Sequence, residues 1–141
     1  MSQDQRTDGG AAGSVEPTPR ETEILQVLWE RGPSTVREVH EVLAGRPATG
    51  TILRTTVLKH MQIMLDKGLV LRDDAASPQR YRAAFDRPQV ERQMVDGFTQ
   101  RVFGGSAAKL ILRALDSEEL SSEELDEIQR ILDQHGRREG P

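Results

Sequence analysis

Between Thr18 and Phe85 the chain sets out three helix starts and stops, followed by two short β-type runs around a polar turn. Thr18 can cap a helix, Pro19 suits its first position, and Glu21 can reach back as the third residue of a capping box. Ile24, Leu25, Leu28 and Trp29 then supply an apolar face until Gly32-Pro33 ends it. Thr35-Val36-Arg37-Glu38 forms a second capping box, and Val36, Val39 and Leu43 recur at helical spacing before the breaker cluster from Gly45 to Gly50.

A third helix is expected from about Ile52 to Lys67, closed by Gly68 in a left-handed cap. At ~100° per residue, Val57, Met61, Met64 and Leu65 fall on one side. Thr55, Lys59, Gln62, Ile63 and Asp66 fall on the other. Leu69-Val70-Leu71-Arg72 and Arg80 to Phe85 read as strands around the turn Asp73 to Gln79, hence a β-hairpin. Helix, helix, helix, hairpin is the order of a winged helix-turn-helix, here expected over residues 18–87.

Beyond it the pattern is wholly helical, which makes the fold class mainly α with a small β-hairpin. Residues 88–135 are expected to form an all-helical arm. Val90, Met94, Phe98 and Val102 stand four apart, and Gly104-Gly105 breaks the helix they line. Ser106 can cap a short helix bearing Leu110, Ile111, Leu112 and Leu115. Leu120 and Leu125 then flank Ser121 to Glu124 as a hydrophobic staple around a capping box, ahead of a stripe of Leu125, Ile128 and Leu132 beside Ile131. These stripes could pack on the preceding domain. With so few aromatic residues they make a poor core alone, and pairing with a second copy is the expectation. The dimerisation residues are then Val90, Met94, Phe98, Val102, Leu110, Ile111, Leu115, Leu125, Ile128 and Leu132. The polar, Gly-rich residues 1–17 read as a disordered tail and residues 136–141 as a flexible one.

Composition narrows the function. None of the 141 residues is a cysteine, which excludes disulfides, zinc fingers and thiol nucleophiles and fits a cytoplasmic setting. His40, His60 and His135 are scattered without acids at metal-ligand spacing, and the acidic pairs Glu118-Glu119 and Glu123-Glu124 sit where they complement helix dipoles. No catalytic, metal or cofactor site is expected, and no apolar run is long enough for a membrane. The net charge of −4 divides unevenly: residues 1–17 carry −2, residues 18–88 carry +2 (eleven Lys/Arg against nine acids) and residues 89–141 carry −4. A basic middle is what phosphate binding requires, whatever the total.

The third helix and the hairpin are therefore the candidate DNA surface. Thr55, Thr56, Lys59 and Gln62, with Arg54 near the helix start, can hydrogen-bond base edges or phosphates. Arg72, Arg80 and Arg82 flank the hairpin turn where a wing would meet the backbone, and Arg37 and Arg46 could add phosphate contacts around the second helix. The same charges could form an ordinary solvated face, and Asp66, Asp73 and Asp74 place acids nearby. A winged-helix protein–protein module, docking through exposed Leu58 and Ile63, is the alternative.

The run Thr55-Thr56-Val57 through Leu65-Asp66-Lys67-Gly68-Leu69-Val70 resembles the recognition helix of the penicillinase-repressor (BlaI/MecI/CopY) family. Glu23 to Trp29, Phe103-Gly104-Gly105, Leu110-Ile111-Leu112 and the stretch from Glu119 to Leu132 extend the resemblance over about residues 18–134. It implies a homodimeric repressor of palindromic operators in double-stranded DNA, released in some relatives when a membrane sensor protease triggers cleavage. The absence of cysteine excludes the copper sensing of other relatives. Arg113-Ala114 stands where cleaved relatives carry Asn-Phe, and Leu58 and Ile63 stand where relatives commonly carry Arg.

Overall fold

A computed structural model describes residues 16–139. Most of the tail expected over residues 1–17 lies outside that range, but Pro17, at its end, is buried. Helix α1 (Pro19–Arg31) starts on the expected capping box: the Thr18 hydroxyl accepts from the Glu21 amide at 3.2 Å, and the Glu21 carboxylate accepts from the Thr18 amide at 2.9 Å. It buries Ile24, Leu25, Val27 and Leu28. Trp29 is half-buried and donates its indole N–H to the Phe85 carbonyl at 3.0 Å, tying the helix to the chain just beyond the hairpin.

Helix α2 (Val36–Ala44) repeats the device through Thr35 and Glu38, and buries Val39 and Leu43. The breaker cluster holds a single 3-10 turn, Pro47–Thr49. Helix α3 (Arg54–Lys67) begins two residues later than the periodicity implies. Ile52 does enter the core, but from an extended lead-in, and the N-cap Leu53 has no side chain able to cap. His40 donates Nε2–H to the Ile52 carbonyl at 2.8 Å, which fixes the lead-in against α2 but does not cap the first-turn amides of α3. At the far end Gly68 takes φ +82°, and its amide reaches back to the Leu65 and Met64 carbonyls.

Strands β1 (Val70–Asp73) and β2 (Arg80–Ala83) pair antiparallel with Arg72 opposite Tyr81 and Leu71 opposite Arg82. Ser34 adds a short third rung, exchanging both backbone hydrogen bonds with Tyr81 (2.9 and 2.8 Å). The core joins the inner faces of α1, α2 and α3 to Leu69, Val70 and Tyr81. The whole is mainly helical with one two-stranded hairpin: a winged helix followed by helices.

Helices α4 (Arg87–Phe103), α5 (Ala107–Ser117) and α6 (Ser122–Glu139) follow. Two compact units divide between Val95 and Asp96, inside α4, rather than ahead of it. Core packing explains the shift. Val90 is only 3% exposed within the first unit's core, which takes it out of the expected dimerisation stripe, and the half-buried Met94 packs against that core. Helix α6 runs on to Glu139, into the flexible tail expected over residues 136–141, whose last two residues lie outside the described ones; Arg137 near its end complements the dipole.

In the second unit, Ser106 caps α5 by accepting from the Lys109 amide, and Ser121 and Glu124 close the expected box at α6. Phe98 and Phe103 meet edge to face, with ring centroids 5.8 Å apart. Little apolar surface is buried here. Phe98, Val102, Ile111, Leu112, Leu115, Leu125, Ile131 and Leu132 are all exposed, Leu112 to 66%. Leu110 and Ile128 are half-buried. No helix among the described residues is long and apolar enough to cross a membrane.

Candidate nucleic-acid interface

Helix α3 spends Val57, Met61 and Met64 on the core, and this sets what it shows outside. Opposite them, at ~100° per residue, runs a row of Thr55, Lys59, Gln62 and Asp66, all exposed. Leu58 flanks the row on one side and Ile63 on the other, 37% and 38% exposed. Arg54 is exposed at the helix start, whereas Thr56 is turned to the flank and half-buried.

Leu58 also lines a cleft with Arg54 and Thr55 from α3, Thr35, Val36 and Arg37 from the start of α2, and Pro78, Gln79 and Tyr81 from the wing. The turn, second helix and wing thus converge on one side of α3. Of the arginines expected at the wing, the strand register puts Arg80 and Arg82 on one face and Arg72 on the other, beside Tyr81. Arg72 is half-buried and bonded to Asp74, which raises its pKa further, with help from the Tyr81 hydroxyl.

Ion pairs sort the cations. Arg80 lies 3.3 Å from Glu38, Arg37 3.3 Å from Glu41, and Arg46 3.4 Å from Glu30. Among the described residues Arg54, Lys59 and Arg82 have no acidic partner. Glu38 is the hub of the second-helix side. The Thr35 amide holds its carboxyl below the usual range; burial opposes this, and the Arg80 and Arg31 guanidinium groups add to the lowering. No three His, Asp or Glu side chains gather as a metal-ligand set among the described residues.

Two positioning contacts escape sequence reading. The buried Glu21, 2% exposed, accepts from Lys67 Nζ at 2.9 and 3.0 Å, so the start of α1 clasps the last turn of α3. The His40–Ile52 bond holds the other end. Glu21 reads locally as a cap and Lys67 as a last-turn cation; only the tertiary approach of the helix ends joins them.

A helix-turn-helix with an outward polar row, a two-stranded wing and a trailing run of helices defines a winged-helix protein with a helical arm. Residues 17–134 match the penicillinase repressor family. The chain belongs to that family. It is 34% identical over 116 residues to the transcriptional regulator BlaI of Mycobacterium tuberculosis, covering 79% of each chain. It is 24% identical over 118 residues to a penicillinase repressor of Bacillus licheniformis (84% of this chain, 90% of that one). It is 20% identical over 120 residues to the methicillin resistance regulatory protein MecI of Mammaliicoccus sciuri (84% and 94%). These are transcription regulators, not enzymes.

Proposed function

We propose that this protein is a cytoplasmic homodimeric repressor that binds a palindromic operator in double-stranded DNA. The observation that carries the reading is the outward row of α3, polar through Thr55, Lys59 and Gln62 and adjoined by the unpaired Arg54. In this reading Thr55, Lys59 and Gln62 meet base edges or nearby phosphates, with Thr56 at the flank. Arg80 and Arg82 hold the sugar-phosphate backbone from the wing, with Arg72, Arg37 and Arg46 as further cations around it. The exposed stripes of α5 and α6 support a two-fold dimer, because a helix leaving Leu112 66% exposed needs a partner to bury it. Two copies then present two α3 helices to two half-sites.

Release by a sensor protease at the position cut in relatives is disfavoured, because Arg113-Ala114 replaces the Asn-Phe of the cleaved relatives. Arg113-Ala114 lies within α5, so a cut there requires local unfolding of that helix.

Cross-linking the protein to DNA in the cell and sequencing what it retains tests the reading. The expected result is enrichment at a small set of promoters that share an inverted repeat. Uniform coverage of the genome contradicts it. Stoichiometric capture of one protein partner, without DNA, would favour docking through Leu58 and Ile63 instead.

A further inference from the structure

We propose that Leu58 is a specificity-determining residue that reads the C5-methyl group of a thymine in the operator half-site. The proposal rests on α3 being the DNA-reading helix and adds the chemistry of one base pair. Leu58 is not needed by the core, which Val57, Met61 and Met64 already fill from this helix. It is 37% exposed and shares its cleft with Arg37, Arg54, Thr55 and Gln79. Each of those can bind a phosphate or a base edge, and Val36, Pro78 and Tyr81 also line the cleft, so the leucine belongs to an apolar strip bordered by groups that grip a polyanion.

On the floor of the major groove the only apolar group is the thymine methyl. Packed against it, Leu58 removes both from water. Against cytosine the same side chain covers an amino group and offers no acceptor, and against guanine it covers two acceptors and offers no donor. The discrimination therefore has two parts, a gain for the methyl and a loss for the wrong edge. Ile63, 38% exposed, is on the opposite flank and ~7.5 Å further along the axis. The N-terminal residues of a recognition helix are those that meet base edges, which favours Leu58.

The test is a scan of a retained promoter fragment in which each thymine is replaced in turn by deoxyuridine, which keeps every hydrogen-bonding group and removes only the methyl. The affinity of the full-length protein should fall about fourfold at one thymine per half-site, the effect of one buried methyl. Replacing that pair by C·G should cost about tenfold or more. Leu58→Ala should bind thymine and uracil equally at that position, while keeping the wild-type salt slope as a sign of an intact interface. Wild-type affinity unchanged by uracil at every thymine overturns the proposal. So does a Leu58→Ala protein that remains sensitive to the methyl. A protein that retains no promoter fragment in preference to random DNA fails earlier, at the repressor reading itself, and takes this proposal with it.

Discussion

Lys59 stands in the middle of the outward row of α3, one turn beyond Thr55, and has no acidic partner among the described residues. A free lysine there can release a counterion or bond a guanine edge. Lys59→Ala should weaken binding to the retained promoter by about tenfold, on the order of 1.4 kcal/mol, and reduce the salt slope by about two, one lysine from each protomer of the dimer; equal affinity in a fluorescence titration would remove it from the interface. Glu38 gives a different kind of prediction. Its carboxyl is held below the usual range first by the Thr35 amide, then by Arg80 and Arg31. A carboxylate with a lowered folded-state pKa stabilises the fold above the unfolded value, and that contribution is lost as pH falls through the folded value. Glu38→Gln should therefore flatten the acid side of the stability profile, from the ordinary glutamate range downward, with melting temperatures recorded against pH. An unchanged profile would mean that the carboxylate's surroundings add nothing.

The helices depend on their ends. Thr35 caps α2 and its oxygen accepts from the Glu38 amide at 3.1 Å, so Thr35→Ala should cost about 1 kcal/mol in a denaturant melt. Lys67→Met is the harsher change: it leaves the Glu21 carboxylate buried with only the Thr18 amide, at a cost of about 1–3 kcal/mol. Local signals made most of these elements legible. The capping boxes of α1 and α2 are written in four residues each, and Gly68 announces the end of α3. The start of α3 was less so, because the residue before it is a leucine and the group that fixes the lead-in, His40, lies on another helix. The outward row followed from the helical period alone. The face each wing arginine occupies did not: it depends on the register of β1 against β2, and a shift of one residue would exchange Arg72 with its neighbours.

At the scale of the molecule, the stripe of α4 at four-residue spacing divides along its length. Val90 goes to the core of the first unit with Met94 packed against it, while Phe98 and Val102 remain exposed. Spacing cannot distinguish burial within one chain from burial between two, since both require the same apolar face. If α5 and α6 close a dimer, light scattering should give twice the chain mass, and Leu112→Asp with Leu132→Asp should give one chain with the melting of the winged helix preserved. A wild-type monomer at micromolar concentration would contradict the dimer. The central claim, that α3 and the wing grip a specific DNA sequence, is tested most directly by the binding of the protein to its own promoter fragment across a salt series, beside a scrambled fragment of equal length. Arg54, Lys59 and Arg82, counted twice in a dimer, predict a log–log slope of about −5, with a clear preference for the promoter kept near 0.15 M salt. Coincident curves for the two fragments would contradict it.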